Sequence, residues 1–224
     1  MPSKRSYEDG CAAAHALDLI GERWALLVVR ELLLGPRRFT DLREALPGIS
    51  PNVLTQRLSD LDDAGVLRRH HLPPPAASWV YELTAWGREL EPVLQQLGRW
   101  GARSPARRPG QPISLATLIT AMKTMYQPPH GGLEATLALQ IGADAFAVRL
   151  TGDRIEIERG TPPGPGATLH GDVPTLGSVI FGGQPLEEAE TTGGIRVEGD
   201  RALAKRFLRL FPLPEPAAPT PAGT

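Results

Sequence analysis

One short segment of the chain carries side chains suited to reading DNA. Ser50 followed by Pro51 is typical of the start of a helix, and Gly65 is typical of a helix end. A helix between them would present an apolar face of leucines and a second face of hydrogen-bonding groups. Amide side chains can form two hydrogen bonds to adenine in the major groove. We therefore predict DNA contacts for Ser50, Asn52, Thr55, Gln56, Arg57 and Ser59.

The charges of this predicted helix indicate which of its ends would face DNA. Asp60, Asp62 and Asp63 lie near its C-terminal end, where the phosphate backbone would repel them. The helix N-terminus instead attracts phosphate through its backbone N–H groups. Contact with DNA is therefore predicted for the N-terminal half.

Pairs of arginines flank the segment on both sides. Arg37 and Arg38 come just before the preceding predicted helix, and Arg68 and Arg69 lie on a β-type run that follows the segment. Arginines so placed can bind phosphates and hold a protein on the duplex without reading its sequence. We predict that all four bind phosphate; the alternative is an ordinary solvated face. The nearby loop 73–77 carries no charge, which argues against minor-groove reading by its tip.

The single cysteine, Cys11, is a candidate for redox chemistry. If Asp9 caps the first helix, Cys11 lies in its first turn, where backbone dipoles favour a thiolate, and His15 lies one turn further on. Because the chain has no second cysteine, a switch would need a disulfide between subunits or a mixed disulfide with a small thiol. The alternative is a small buried residue at Cys11 and a hydrogen-bonded His15. Further ligands for a metal shared by two such pairs are missing.

The sequence contains no pattern typical of a catalytic site. It has no phosphate-binding loop, nucleophile elbow or paired His and Glu zinc motif. His70 and His71 are neighbours on a β-type run and so point to opposite faces. Glycine-rich residues 160–166 include prolines where a phosphate loop needs N–H donors. We therefore predict that the protein is not an enzyme and needs neither a metal nor another cofactor.

The elements around these side chains form a recognisable order. Apolar residues at three- and four-residue spacing predict helices, and Gly21 would kink or divide the first of them. Two β-type runs separated by a proline-rich loop predict a hairpin. The order is a helix over 17–34, a helix over 39–46, a helix over 50–64, strands over 66–71 and 79–83, and a helix over 84–100. This order predicts a winged helix-turn-helix.

Composition divides the chain into two parts. Its 224 residues are 41% hydrophobic and 22% charged, which excludes disordered and fibrous classes, and the formal net charge is -1. Residues 1–108 hold 15 Lys+Arg against 13 Asp+Glu, and the remainder holds 9 against 12. Charged residues and prolines at 105–112 predict a semi-rigid linker. The predicted parts are a DNA-binding and dimerisation domain at 1–104, the linker 105–112, a second domain at 113–211 and a flexible Pro-rich tail at 212–224.

Several ordered motifs in the first part resemble the HxlR family of bacterial transcriptional regulators. They span roughly residues 8–101: Cys11, Ala16-Leu-Asp-Leu-Ile-Gly-Glu-Arg-Trp24, Arg30-Glu-Leu-Leu-Leu-Gly-Pro36, Arg38-Phe-Thr-Asp-Leu42, Leu46-Pro-Gly-Ile-Ser50, Leu54-Thr-Gln-Arg-Leu58, Gly65 and Tyr81-Glu-Leu-Thr84 with Gly87. The resemblance implies a homodimer in which terminal helices pair and two recognition helices enter successive major grooves of a near-palindromic operator. Some members of that family sense oxidants through a cysteine near the position of Cys11.

The second part has the pattern of an α+β domain, with helices layered on an antiparallel sheet. Segments 167–172 and 194–208 resemble the sterol carrier protein type-two-like fold, which implies an apolar tunnel for lipids or other hydrophobic molecules. The residues that would line it are Met122, Met125, Phe146, Val148, Leu176, Ile180 and Phe181. The alternative is that these residues are ordinary core and that the domain serves only dimerisation.

Together these patterns predict a two-domain α+β protein with an N-terminal winged helix-turn-helix. Its expected partners are double-stranded DNA, a second copy of the chain and a hydrophobic small molecule. The single cysteine and the lack of a long apolar run predict a cytoplasmic protein that does not bind membranes. Two alternatives stay open: a redox-sensing regulator that acts through Cys11, and a small-molecule carrier or interaction protein whose winged domain only dimerises.

Overall fold

The computed structural model describes residues 6–108 and 110–218. Its contacts divide the chain into two compact units, Met1–Leu94 and Gln95–Thr224. The division falls inside one helix, α6 (Leu90–Ala102), which begins in the first unit and ends in the second. The domain boundaries drawn at residues 104 and 112 stay predictions. Among the described residues, no helix combines the length and the apolar character needed to cross a membrane.

The first unit has the element order of a winged helix-turn-helix. Its elements before α6 are α1 (Ala12–Ile20), α2 (Ala25–Leu32), α3 (Phe39–Ala45), α4 (Pro51–Asp63), β1 (Leu67–His71), β2 (Trp79–Leu83) and α5 (Ala85–Arg88). The helix predicted over 17–34 is divided, as Gly21 indicated, because the chain turns after Ile20. Gly21 is the C-cap of α1, and Trp24 adopts a left-handed backbone conformation with φ of 79° just before α2.

The hairpin of the first unit is tied to the rest of the unit by backbone contacts. Strands β1 and β2 pair antiparallel, with Leu67 opposite Leu83. Arg37 extends this pairing, since its backbone N–H and C=O both bond to Tyr81. At the other end, a Cβ on Gly87 would lie 1.9 Å from the carbonyl oxygen of Val66. Only glycine therefore lets α5 approach the start of the hairpin so closely.

The second unit packs helices against a five-stranded sheet. Its elements after α6 are α7 (Leu115–Met125), β3 (Ala135–Ile141), β4 (Asp144–Thr151), β5 (Arg154–Arg159), β6 (Ala167–Gly171), α8 (Val173–Phe181), α9 (Leu186–Thr191), β7 (Ile195–Gly199) and α10 (Arg201–Leu208). The strand order is β5-β4-β3-β6-β7. A mixed α and β fold is thus confirmed. Helix α9, an acidic segment not predicted to be helical, lies beside β7.

The sheet is not wholly antiparallel, so the prediction of an antiparallel sheet was wrong for one strand pair. Strand β6 runs parallel to β3, with Leu139 opposite Leu169. The reason is the connection 160–166, which leaves the end of β5 and returns to the opposite end of the sheet before β6 begins. Seven residues span up to about 24 Å when extended, which exceeds the length of a five-residue strand.

The proposed tunnel residues form the packed layer between the sheet and the helices. Met122, Phe146 and Val148 are 0% exposed, and Leu176 is 1% exposed. Met125 and Ile180 are also buried, whereas Phe181 is only half-buried. The opposite face of the sheet is wet at its edge, where Glu156 and Glu158 of β5 are exposed. All of the proposed tunnel residues except Phe181 therefore fill the interior of the second unit.

The segment after α10 is held by backbone contacts within the second unit. The N–H of Ala217 donates to the carbonyl of Arg103 at 2.8 Å, and the Arg103 Nε donates to the carbonyl of Glu215 at 3.2 Å. These contacts involve part of the tail predicted at 212–224. Residues 219–224 of that tail lie outside the described residues.

Replacing Phe146 by alanine should destabilise the second unit strongly. Because the ring is fully buried, its loss leaves a cavity, and Phe→Ala changes at such sites cost about 3–5 kcal/mol of unfolding free energy. The matched control is Phe181→Ala, where the ring is half-exposed and we expect a loss of about 1 kcal/mol. Urea unfolding of both variants checks the difference. Equal costs would contradict the assignment of Phe146 to the core.

Candidate nucleic-acid interface

Helix α4 is held in place by its cap and by its buried face. The Ser50 Oγ accepts a hydrogen bond from the Val53 N–H at 3.3 Å, and Pro51 occupies the first turn. Leu54, Leu58 and Leu61 are at most 1% exposed and form part of the core of the first unit. The cap sets where the helix begins, and the three leucines set which face is presented to solvent.

The face of α4 opposite the leucines is exposed and polar. Asn52, Thr55, Gln56 and Ser59 are all exposed, as the sequence pattern predicted. The Thr55 hydroxyl donates to the carbonyl of Pro51 at 3.0 Å, and the Gln56 Nε2 donates to a carboxylate oxygen of Asp60 at 3.0 Å. Gln56 would therefore have to exchange the Asp60 bond for a base, whereas Asn52 sits in the first turn beside the helix N-terminus.

Arg57 lies between α4 and the turn after α1 rather than on the open face. Its guanidinium is 3.2 Å from Asp60 and 3.6 Å from Glu22, and only 14% of its side chain is exposed. The Arg57 Nε is buried and lacks a hydrogen-bond partner among the described residues. These contacts favour a role in positioning α4. No local sequence pattern indicates the pair of Arg57 and Glu22, because the two residues are 35 positions apart.

Arg37 and Arg38 connect the start of α3 to the wing, meaning the β1–β2 hairpin and its loop. Besides the backbone pairing of Arg37 with Tyr81, the Arg38 Nε donates to the Ser78 hydroxyl at 3.1 Å. Arg38 is exposed and Arg37 is half-exposed. Both guanidinium groups therefore belong to a segment that is fixed to the wing by hydrogen bonds.

The two wing arginines have different partners. Arg68 donates to Glu82 at 2.9 Å, and Arg88 donates to the other oxygen of the same carboxylate at 3.1 Å. Arg69 stacks over Trp79, with its guanidinium carbon 4.6 Å from the ring centroid. Arg68 and Arg88 share the single negative charge of Glu82, so this cluster keeps a net positive charge. Stacking holds Arg69 without balancing its charge.

Sequence reasoning missed the role of Trp79. Its ring is 54% exposed and packs edge-on against His71, with the ring centroids 5.3 Å apart. Trp79 and His71 are directly opposed in the hairpin, and Arg69 is two residues from His71 on the same face. The alternation of side chains along the first predicted strand places Arg69 and His71 on one face, and that pattern was the signal available in the sequence.

Cys11 is exposed and occupies the N-cap position of α1. Asp9 does not cap the helix; its carboxylate accepts a hydrogen bond from the Cys11 N–H at 2.9 Å. Hydrogen bonding from the backbone N–H groups of Ala14 and then Ala13 lowers the pKa of the Cys11 thiol. Cys11 was expected within the first turn of the helix but lies one position before it, at the N-cap. The expected preference for the thiolate arises from the N–H groups of Ala14 and Ala13. Within a single chain, Cys11 is therefore not a buried residue.

Metal binding by Cys11 and His15 finds no support within one chain. Over residues 6–108 and 110–218, no group of three or more His, Cys, Asp or Glu side chains is placed to hold a metal ion. His15 is exposed on α1, and its backbone N–H donates to the carbonyl of Cys11 at 3.0 Å as an ordinary helical bond.

Comparison with known proteins places the first part of the chain among regulators. Residues 19–108 match a family model described as HxlR-like helix-turn-helix. The chain is 41% identical over 92 residues to the uncharacterized HTH-type transcriptional regulator sll1512 of Synechocystis sp., covering 41% of this chain and 68% of that protein. It is 38% identical over 85 residues to the uncharacterized HTH-type transcriptional regulator YvaP of Bacillus subtilis, covering 38% and 79%. The solved reduced form of the transcriptional regulator YodB from B. subtilis is 32% identical, covers 45% of this chain and 98% of that chain, and has a TM-score of 0.39.

Proposed function

Because the chain belongs to the HxlR-like helix-turn-helix family, we propose that it is a homodimeric transcriptional regulator that binds a near-palindromic operator. The observation that carries the proposal is the polar face of α4, which is exposed at a capped helix N-terminus while the leucines opposite are buried. Two copies related by a twofold axis would place their α4 helices in successive major grooves, about 34 Å apart. The relatives compared above are named as transcriptional regulators, which confirms the prediction that the chain is not an enzyme.

The proposed DNA contacts divide into two kinds. Asn52, Thr55, Gln56 and Ser59 would reach base edges, with Asn52 and Gln56 as the sequence-reading pair. Arg37, Arg38, Arg68 and Arg69 would bind phosphates and set the orientation of the protein on the duplex. Ser50 and Arg57 would contribute mainly by fixing α4, through the cap and through the ion pairs with Glu22 and Asp60.

The proposed dimer is supported by exposed apolar side chains along α5 and α6. Trp86 and Val93 are 50% and 48% exposed in the first unit, and Leu97 and Trp100 are 47% and 76% exposed in the second. Val93, Leu97 and Trp100 follow one another on α6 at steps of four and three residues, the spacing of a helix that pairs with another helix. Apolar groups exposed in such a row are typical of an interface, and a second copy of this chain is the partner that the family favours.

An apolar groove in the first unit extends the surface available to the second copy. Ala16, Leu19 and Ile20 of α1 form one wall, and Trp86 and Leu90 form the other. The enclosed volume is about 250 Å³. Terminal helices of the partner would bury this groove, in agreement with the arrangement that the resemblance implies.

A second candidate function is redox control of operator binding through Cys11. The observation that favours it is an exposed thiol whose pKa is lowered by the N–H groups at the start of α1. Thiolates react with oxidants faster than thiols, so the position favours oxidation. The oxidised product would be a disulfide with the partner's Cys11 or with a small thiol, since the chain has only one cysteine.

For the second unit we propose the sterol-carrier-like fold and a hydrophobic ligand or a dimerisation role. Helices packed against a five-stranded sheet support the fold. An apolar ligand would have to separate α7 and α8 from the sheet, because Met122, Phe146 and Leu176 fill the space between them. It would change operator affinity only through different affinities for the DNA-bound and free states of the protein.

Changing the base-reading residues should alter sequence preference, whereas changing the arginines should weaken all DNA alike. We expect Asn52→Ala and Gln56→Ala each to remove about 1–3 kcal/mol of discrimination between operator variants. Arg38→Ala and Arg69→Ala should each lower the slope of log affinity against log salt by about one. Fluorescence anisotropy with the protein's own promoter fragment and a scrambled duplex, across a salt series, measures both quantities.

Arg206→Ala is the control for the DNA measurements, because this exposed arginine lies on α10 in the second unit and should leave binding unchanged. A uniform loss of affinity from Asn52→Ala and Gln56→Ala would contradict base reading by α4. If the wild-type protein showed neither sequence preference nor salt dependence, the carrier or interaction alternative would replace the regulator.

Placing a charge in the exposed apolar row should dissociate the dimer. Leu97→Glu puts a carboxylate where a partner helix would exclude water, so we expect the dimer Kd to rise roughly a hundredfold or more. Gln96→Glu adds the same charge one residue away and should leave the dimer intact. Sedimentation equilibrium of both variants measures the change. If the two variants dissociate equally, or neither does, the interface lies elsewhere.

Removing the thiol should abolish any response to oxidants without affecting binding. We expect Cys11→Ser to bind the operator as the wild-type protein does, because the side chain is exposed. Diamide or hypochlorite should change operator affinity of the wild-type protein only. Gel-shift titrations before and after oxidation, with mass spectrometry of the Cys11 adduct, provide the test. A variant that still responds would rule out control through this residue.

A further inference from the structure

A polar cleft of about 380 Å³ opens on the second unit, and none of its lining residues is proposed to contact DNA. It lies between the C-terminal part of α6, the end of α7 and the turn that joins β4 to β5. The residues that give it chemical character are Arg99, Lys123, Tyr126, Asp153, Arg154 and Glu156. A cleft of this size suits a small metabolite.

Arg99 lines this cleft and is held in place by a hydrogen bond. It is half-buried, and its Nη2 donates to the carbonyl of Thr124 at 2.5 Å. This bond caps the end of α7 and uses one of the five donors of the guanidinium. The Arg99 side chain is therefore pre-oriented. Two further cationic residues line the cleft, Lys123 on α7 and Arg154 on β5. Cationic groups on three elements face one small volume.

Tyr126 provides a buried polar group that the protein itself does not satisfy. Its hydroxyl is shielded from solvent and has no hydrogen-bond partner among the described residues. Buried hydroxyls are nearly always hydrogen-bonded, so this one calls for an acceptor. Burial, and then the charges of Asp153 and Glu134, raise the pKa of Tyr126. The phenol therefore stays protonated and can donate.

The strand side of the cleft adds the opposite charge. Asp153 precedes β5 and Glu156 lies on it, and both are exposed. Carboxylates accept hydrogen bonds from ammonium or hydroxyl groups. The cleft thus offers cationic donors for an acid group and anionic acceptors for a donor group. Its lining is more polar than apolar, so it is unsuited to a lipid.

We propose that this cleft binds a small polar molecule that carries both an acid group and an amino or hydroxyl donor. The carboxylate or phosphate of the ligand is held by Arg99, Lys123 and Arg154, with the Tyr126 hydroxyl donating to it. Asp153 and Glu156 accept from its donor group. This site differs from the apolar interior of the same unit in place and in the class of molecule bound.

The experiment uses the whole 224-residue chain labelled with 3-fluorotyrosine, in which ¹⁹F resonances report each of the 3 tyrosines. The Tyr126 signal is assigned with Tyr126→Phe. L-Glutamate and glucose 6-phosphate are titrated separately, as an amino acid and a sugar phosphate that each carry both groups. Acetate at equal ionic strength is the simple anion. We expect at least one of the two probes to move the Tyr126 signal saturably with a Kd of about 1 mM or tighter.

Two variants test the assigned contacts. Arg154→Gln changes an exposed residue of an edge strand, so folding should be preserved, and we expect roughly tenfold weaker binding from the loss of one charge-assisted bond. Arg99→Gln should weaken binding at least as much. Arg149→Gln on β4 is the matched control, since Arg149 is exposed, pairs with Glu158 and lies outside the cleft.

The proposal is overturned if neither probe gives a saturable shift of the Tyr126 signal at concentrations up to about 10 mM. An equal shift with acetate, or unchanged ligand binding by Arg154→Gln, would also overturn it. The measurement needs no DNA. A failed ligand titration therefore leaves the proposed operator binding intact, and a failed operator assay leaves the cleft intact.

Discussion

Burial of Leu54, Leu58 and Leu61 is the interaction on which the proposed recognition surface depends. Each fully buried leucine contributes about 1.5–3 kcal/mol relative to exposure, so together they fix the rotation of α4 about its axis. A turn of one residue would rotate the helix by about 100° and bring a polar side chain into the core. The exposed face is therefore set by the core rather than by the polar residues themselves, and those residues are left to interact with a partner.

The parts of the fold that depend on local pattern were predictable from the sequence. Ser50 and Pro51 gave the start of α4 correctly, and Gly21 gave the division between α1 and α2. Features that depend on distant residues were not predictable. The pairing of Arg57 with Glu22 and the parallel run of β6 beside β3 are examples, because neither leaves a mark within a short window. The exposed face of the candidate site was foreseen, but the partners of its arginines were not.

Those partners change how the small positive charge of residues 1–108 is distributed. Glu82 accepts bonds from both Arg68 and Arg88, and Asp60 and Glu22 hold Arg57. Arg38 and Arg69 are held instead by a hydroxyl and by an aromatic ring, which orient a guanidinium without cancelling its charge. In the proposed DNA complex, phosphate attraction from one copy would therefore be modest and would rest on a few oriented groups. The proposed dimer would double these contacts on one DNA molecule and so bind it much more tightly than one copy does.

The second unit has a filled apolar interior and a separate, open polar cleft, and the two differ in how much rearrangement ligand binding would need. Its interior is filled by side chains such as Met122, Phe146 and Phe207, all of them 0% exposed, so binding there requires the packed layers to move apart. The cleft at Arg99 and Tyr126 is already open, and binding there requires no loss of core contacts. A pre-formed site costs less ordering on binding than one that must be opened. At equal contact quality, a polar ligand in the open cleft therefore binds with less reorganisation than an apolar ligand in the interior.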